Sequence, residues 1–252
     1  MKRENGIMKD KCSVSVVIPV YNEEKRIRNT ASEIKRYFGS KGLSYEMIVV
    51  DDGSTDGSLA AIKEACGADV ENLHFLHNGK NMGKGFSVKR GMMFARGDIV
   101  MFTDADLSVP ISEFENFEKA IGEGYDMAIG SRGLKDSKKL VSQGFLRDRL
   151  GKMFGGIVRL LLLPDIADSQ CGFKVFTKEA AHTLFFWQTI HGFGFDPEIL
   201  YIAKKHNYKY VEIPVTWTNS FDSKLKVYKD GFIIGFELFK IKIKSMLGHY
   251  SV

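Results

Sequence analysis

Ile99-Val100-Met101-Phe102-Thr103-Asp104-Ala105-Asp106-Leu107 is a short apolar run that stops at two carboxylates one residue apart. Consecutive apolar residues bounded by a turn suit a buried strand of a parallel sheet, covered on both faces. An Asp-x-Asp pair at the end of such a strand sets hard oxygen ligands at a sheet edge, where they suit Mg²⁺ or Mn²⁺ held against a diphosphate. Paired acids in a surface turn are common, so this pair takes its meaning from what surrounds it.

The surroundings repeat the pattern. Val14 to Val20, Met47 to Val50 and Leu73 to Leu76 are further apolar, β-rich runs, and helical patterns separate them. After the first run, Asn22 stands as an N-cap, Glu23 and Glu24 fill the first turn, and Ile27, Ala31, Ile34 and Phe38 share one face. Gly39 and Gly42 then stop the helix. Asp56 to Ala65 and Phe86 to Ala95 have the same character, so the order β-α-β-α-β-α-β predicts an α/β, doubly wound, mainly parallel sheet with right-handed crossovers.

Each of these runs is followed at once by residues able to touch a ligand: Pro19 to Glu23, Asp51 to Asp56, Asn78 to Gly85, and Asp104 to Asp106. Ligands of open α/β sheets bind outside the carboxyl ends of the strands, so the clusters should converge on one crevice. Taken singly, Asp51-Asp52-Gly53-Ser54 is ordinary turn chemistry and Gly83-Lys84-Gly85 an ordinary loop. The chain has no G-x-x-x-x-G-K-[ST], and Gly83-Lys84-Gly85-Phe86-Ser87-Val88 lacks the third glycine of the dinucleotide fingerprint, which disfavours a P-loop NTPase or an NAD enzyme. The histidines are scattered and form no ligand set.

With 252 residues, 44% of them hydrophobic, and five prolines, the chain can bury a full core and is not disordered. Its cysteines, Cys12, Cys66 and Cys171, lie far apart, which argues against a zinc site or a disulfide framework and for a reducing, cytoplasmic setting. Residues 1–11 are charged and read as a loose tail. Phe145 to Leu163 and Phe232 to Leu247 are the most apolar stretches, but charges interrupt both, so no transmembrane span is expected.

The net charge of +5 gathers in the second half, at Lys135/Lys138/Lys139, Lys204/Lys205 and Lys224/Lys226/Lys229. Such clusters are ordinarily a solvated face, and they also favour an anionic substrate or an anionic membrane. Nucleic acid is not an expected partner. Phe232, Ile233, Phe236, Phe239, Ile243 and Met246 recur at helical spacing beside Lys240, Lys242 and Lys244. That suits a C-terminal amphipathic helix lying at a membrane surface, or equally a helix packed on the sheet.

Val17-Ile18-Pro19-Val20-Tyr21-Asn22-Glu23, Val49 to Asp56, Asn81-Met82-Gly83-Lys84-Gly85 and Asp104-Ala105-Asp106-Leu107 together resemble the family 2 glycosyltransferases of GT-A fold. In the second half, Ser131-Arg132, Asp168 to Lys174, Phe195-Asp196-Pro197-Glu198, Val215-Thr216-Trp217 and Ser223-Lys224-Leu225 resemble the dolichyl-phosphate β-glucosyltransferase branch. The resemblance implies one GT-A domain over 1–252: a nucleotide-sugar half over 12–132, an acceptor half over 133–227 and the C-terminal helix over 228–252. It implies that Pro19, Tyr21 and Glu23 line a nucleoside pocket with Asp51 or Asp52 on the uracil or ribose, and that Lys84 faces the nucleotide. Asp104 and Asp106 match the sugar-nucleotide and metal positions, and Arg132 and Arg147 match arginines that hold phosphate. Relatives often carry transmembrane helices that are not seen here, and Ser108 stands where related mannosyl-phosphate synthases can supply a third ligand to the metal.

The expected reaction is inverting transfer of glucose from UDP-glucose to a polyprenyl (dolichyl-type) phosphate at the cytoplasmic face of a membrane, with Mg²⁺ or Mn²⁺. GDP-mannose or a UDP-N-acetylhexosamine as donor, a saccharide acceptor, and a non-catalytic nucleotide-sugar or lipid-phosphate binding protein stay open as alternatives. A phosphate acceptor is already largely dianionic at neutral pH, its second pKa being about 6, and so needs cationic positioning more than a strong base. Asp168 and Asp196 are therefore assigned to orienting sugar or arginine, with a helix N-cap as the ordinary alternative for Asp196. Cys171, flanked by apolar residues, is assigned to the core and not to nucleophilic chemistry, and Trp187 and Trp217 to core packing or sugar stacking.

Overall fold

The computed structural model describes residues 13–66, 72–139, 155–218 and 227–251. Arg147 and the run 223–225 lie outside them, as do the tail 1–11 and the side chain of Phe232.

Seven strands form one sheet in the order β3-β2-β1-β4-β7-β5-β8. They are β1 (Val14–Val20), β2 (Tyr45–Asp51), β3 (Leu73–His77), β4 (Ile99–Phe102), β5 (Met127–Ser131), β7 (Lys174–Thr177) and β8 (Tyr210–Pro214). A separate pair joins β6 (Lys138–Lys139) to β9 (Thr216–Trp217). The β1–β2, β1–β4, β2–β3 and β5–β8 pairs are parallel, while β7 runs antiparallel between β4 and β5. The β1 and β4 spans agree with the residue pattern, while β2 adds Tyr45, Glu46 and Asp51 to it and β3 adds His77. The reversal of β7 carries no signal in its own four residues, because strand direction depends on the connection that precedes it.

Alternate residues of β1 feed opposite cores. Val14, Val16, Ile18 and Val20 pack with Ile27, Ala31, Ile34 and Phe38 of α1 (Glu24–Lys41), with α2 (Ser58–Cys66) and with α4 (Phe114–Gly122). Val17 faces the other layer, made by α3 (Lys84–Phe94), a helix α5 over 155–161, α6 (Lys178–Trp187), α7 (Phe195–Lys205) and α8 (Val227–Met246). Helices on both faces explain why the strands read as nearly continuous apolar runs.

Helix α1 begins one residue later than its polar pattern suggests. Glu23 is the N-cap, with no side-chain cap bond, while Asn22 adopts φ 54° and sends its side chain to the Thr55 backbone N–H at 2.7 Å. A tertiary partner has taken the carboxamide that the local reading assigned to the helix end.

The C-terminal helix α8 is apolar on more than one side. Ile234, Leu238 and Ile241 are buried against the body, whereas Ile233, Phe236, Phe239, Ile243 and Met246 are exposed. The simple amphipathic expectation is thus revised, since a second set of apolar residues does the packing and the described members of the predicted set stay outside. The helix ends at Met246, short of the chain end, and Gly248 (φ 79°) turns the chain so that Tyr250 is buried. Among the described residues no helix is long and apolar enough to cross a membrane.

Candidate active site

In the strand order 3-2-1-4, β1 lies where the connections reverse direction across the sheet, which is where an open α/β sheet forms its ligand crevice, beyond the carboxyl ends of β1 and β4. Tyr21 to Glu23 and Thr103 to Asp106 flank it. Because β7 is antiparallel, its first residue, Lys174, pairs with Phe102 at this same edge. Strand β5 ends there at Ser131, next to Arg132.

The loops after β1 and β2 lock together. Asn22 N–H donates to Ser54 Oγ (2.9 Å), Glu23 N–H to Ser58 Oγ (2.8 Å), and Gly57 N–H to Glu24 Oε2 (3.1 Å). Tyr21 remains 38% exposed at the rim, beside the half-buried Pro19 and Glu23.

Asp51 and Asp52, assigned to uracil or ribose from the sequence, are both buried, and their carboxylates hold neighbouring loops. Asp51 accepts from Ser54 N–H (3.1 Å) and meets His77 Nδ1 at 2.7 Å. Asp52 accepts from Met82 N–H (2.8 Å), Gly83 N–H (2.9 Å) and Asn78 Nδ2 (2.8 Å). Asp52 thereby shapes the Asn78–Gly85 loop that carries Lys84, while Asp51 ties the turn after β2 to His77 at the end of β3.

Lys84 Nζ lies 2.6 Å from Asp104 Oδ1. Burial alone would lower its pKa, but Asp104, Asp196 and Asp106 outweigh that and raise it, so Lys84 is a fixed positive charge. Asp104 also lies against Gly172, where a Cβ would overlap its carboxylate; only glycine in the Asp168–Lys174 motif admits the acid there. Asp106 Oδ1 accepts from Ser108 N–H at 3.0 Å. Among the described residues no group of three or more His, Cys, Asp or Glu side chains gathers as a metal cage. Two carboxylates beside a lysine suit an ion that takes its other ligands from phosphate and water, as Mg²⁺ does and as the hard-donor preference of Mn²⁺ allows.

Asp196 is neither a helix cap nor exposed. Gly194 is the N-cap of α7, and Asp196 sits buried in its first turn, paired with the fully buried Lys174. Lys174 Nζ also donates to the Cys171 carbonyl (2.6 Å) and lies 5.3 Å from the Phe102 ring centre. Burial, aided by Asp104, pushes the Asp196 carboxyl above its ordinary range despite Lys174 and Lys84. Lys174, Asp196, Lys84 and Asp104 thus form an alternating series of charges from the core to the crevice. The sequence reading held Lys174 within a motif but gave it no role, because local spacing does not show a lysine as buried; the antiparallel entry of β7 buries it.

Arg132 is gripped by Asp168 through Nε–Oδ2 (2.6 Å) and Nη2–Oδ1 (3.0 Å), and its backbone N–H also donates to Oδ2 (3.0 Å). Burial opposes ionisation of Asp168, but Arg132 and the backbone donors overcome it and hold the carboxyl at about 2. Glu212 of β8 fixes the turn beneath by accepting from Ala167 N–H (2.8 Å) and Asp168 N–H (3.0 Å). The Arg132 guanidinium stands 5.6 Å from the Trp217 ring centre, a cation–π contact that gives the buried Trp217 a task beyond packing. Asp168 thus holds both the side chain and the backbone N–H of Arg132. Burial pushes the Cys171 thiol up to about 11, against nucleophilic use.

The family model for glycosyl transferase family 2 matches residues 15–185. The chain belongs to that family. It is 33% identical to the dolichyl-phosphate beta-glucosyltransferase of Dictyostelium discoideum, over 99% of this chain and 80% of that one. The human protein of the same name is 32% identical over 95% of this chain and 78% of its own length. Among solved structures, glucosyl-3-phosphoglycerate synthase of Mycobacterium tuberculosis with Mn²⁺, UDP-glucose and phosphoglyceric acid superposes with a TM-score of 0.65 at 18% identity, over 96% of this chain and 80% of that one. The same synthase with Mg²⁺ and UDP gives 0.66 at 17% identity, over 94% and 80%. The fold is accordingly that of the GT-A glycosyltransferases.

Proposed function

We propose that this chain transfers glucose from UDP-glucose to a dolichyl-type polyprenyl phosphate, with inversion to a β-linked lipid-phosphate sugar. The observation that carries the reading is the convergence of both halves of the chain on Asp104. Lys84 of the first half pairs with it, and Gly172 of the second half packs on it. The names of the relatives, matched over nearly all of this chain, supply the sugar and the lipid.

Tyr21, Pro19 and Glu23 are proposed to line the base pocket, with Asp51 and Asp52 serving it through the loops they hold. Asp104 and Asp106 would hold Mg²⁺ or Mn²⁺, a reading supported by the ions bound to the mycobacterial synthase. When bound, such an ion neutralises charge that develops on the departing diphosphate. Lys84 adds a protein charge on the same side, held in place by Asp104 and Asp196. Arg132, aimed by Asp168, is proposed to hold the acceptor phosphate. That phosphate attacks the anomeric carbon from the face opposite UDP, and as a dianion it has no proton that must first be removed. Arg147, outside the described residues, is proposed as a second phosphate contact from its place in the sequence.

The exposed Phe236, Phe239, Ile243 and Met246 are proposed to enter the interface of a bilayer, with Lys240, Lys242 and Lys244 on anionic headgroups. Vesicles containing anionic lipid should carry the protein upward on flotation, and a Phe236→Ser/Phe239→Ser variant should stay at the bottom. Flotation of neither protein would remove the membrane from the proposal. The reaction is tested by offering a panel of UDP- and GDP-sugars with a short polyprenyl phosphate and identifying products by mass spectrometry. UDP-glucose should give the only abundant product; a GDP-sugar product or glycosylation of a saccharide would overturn the assignment.

A further inference from the structure

The turn over 189–194 is pressed between the Lys84 loop and the C-terminal helix. On one side it meets Gly83 and Gly85 at backbone distance: Phe86 N–H donates to the His191 carbonyl (3.2 Å), and a methyl at Gly85 would stand 2.6 Å from the Ile190 carbonyl oxygen. Gln188, buried, bridges the two by donating from Nε2 to the Gly85 carbonyl (2.9 Å) and the Ile190 carbonyl (2.7 Å). Any shift of the turn is therefore passed to the backbone on either side of Lys84.

On its other side the turn is held by residues from the last part of the chain. Glu237 of α8 accepts from Gly194 N–H at 2.9 Å and from Gly192 N–H. A methyl on Gly194 would stand 2.7 Å from Glu237 Oε2, and one on Gly192 would overlap the carboxylate, so the two glycines form a cradle for this acid. Glu198, fully buried, gives a second hold: it accepts from Thr189 N–H (3.0 Å), Ile190 N–H (2.7 Å) and the Tyr250 hydroxyl (2.6 Å). Helix α8 is thus more than a cover for the apolar layer. Its Glu237 reaches the backbone that supports the donor loop.

We propose that Glu237 is a positioning residue for the nucleotide-sugar site, acting through Gly192 and Gly194 on Gly83-Lys84-Gly85. The inference rests on the donor reading given above. A loop carrying a charge that must meet a diphosphate loses binding steeply when displaced, whereas general loss of packing on α8 lowers stability without moving that charge. Glu237→Ala should weaken UDP binding in the presence of Mn²⁺, measured by titration calorimetry, and raise the donor KM, each by about tenfold, while kcat at saturating donor falls far less. Glu237→Gln keeps an acceptor oxygen for the glycine N–H groups and should recover most of the binding. Leu238→Ala, which removes buried volume from the same helix, should lower Tm and leave UDP binding unchanged. If Glu237→Ala does not fold, Gly194→Ala takes its place, displacing the carboxylate without removing it, with the same expected loss. Wild-type-like UDP binding in Glu237→Ala or Gly194→Ala, or an equal loss in Leu238→Ala, overturns the positioning role. A wild type that transfers glucose from a donor other than UDP-glucose would overturn the donor reading instead, and Glu237→Ala would then be assayed with that donor and should show the same rise in KM.

Discussion

Asp106→Asn should lose glucose transfer by a factor on the order of 10² to 10³, the scale on which removing one group that stabilises developing charge slows an enzyme. EDTA should abolish wild-type turnover, and added Mg²⁺ or Mn²⁺ should restore it. Asp106 is a cleaner probe than Asp104, whose carboxylate also pairs with Lys84 and packs on Gly172. In Asp106→Asn the Ser108 N–H keeps an acceptor in the amide oxygen, so the turn after β4 should survive and Tm should scarcely move. Full turnover in EDTA, or an active Asp106→Asn protein, would remove the metal from the proposed mechanism.

Arg132 should show the next largest effect, on the acceptor side. Truncating a desolvated contact to a dianionic phosphate costs on the order of 2 to 5 kcal/mol, so Arg132→Ala should transfer roughly thirtyfold more slowly or worse. A surface ion pair contributes about 1 kcal/mol at most and would leave transfer nearly untouched. Because Arg132→Ala strands a largely buried Asp168, Arg132→Lys is the companion variant: it keeps the charge and loses the two-pronged grip. Both should bind UDP nearly as the wild type does. Near-normal transfer by both variants would sink the phosphate assignment while leaving the fold intact.

The same pair sets an acid dependence whose sign is fixed. The Asp168 pKa falls from 3.8 to about 2 on folding, so its contribution is present above pH 4 and is lost as pH falls toward 2. That shift corresponds to about 2 kcal/mol. Asp168→Asn should unfold at lower temperature at neutral pH, and its stability should depend less on pH between 4 and 2 than that of the wild type. A variant whose acid unfolding parallels the wild type would mean that Arg132 does not hold Asp168 in solution.

Much of this was legible in the residues alone. Runs such as Val14 to Val20 and Ile99 to Phe102 announce buried parallel strands, because a strand covered on both faces must be apolar at nearly every position. The polar clusters that follow the strands announce the crevice, because parallel strands deliver their ends to one edge. Ser131-Arg132 and the Asp168–Lys174 motif marked the second half of the site without saying what touches what.

Tertiary structure decided the partners. Whether Asp52 meets a nucleotide or the N–H groups of Met82 and Gly83 depends on a loop thirty residues away, and local spacing carries no such information. Lys174 and Asp196 became a buried pair only because β7 enters the sheet antiparallel beside the N-terminus of α7. The exposed phenylalanines of α8 were visible as a stripe, but the sequence could not say that Ile234, Leu238 and Ile241 would do the packing, nor that Glu237 would turn inward to two glycines. Periodicity tells which positions along a strand or helix can share a face. Which face is covered, and by what, depends on contacts between residues far apart in the chain.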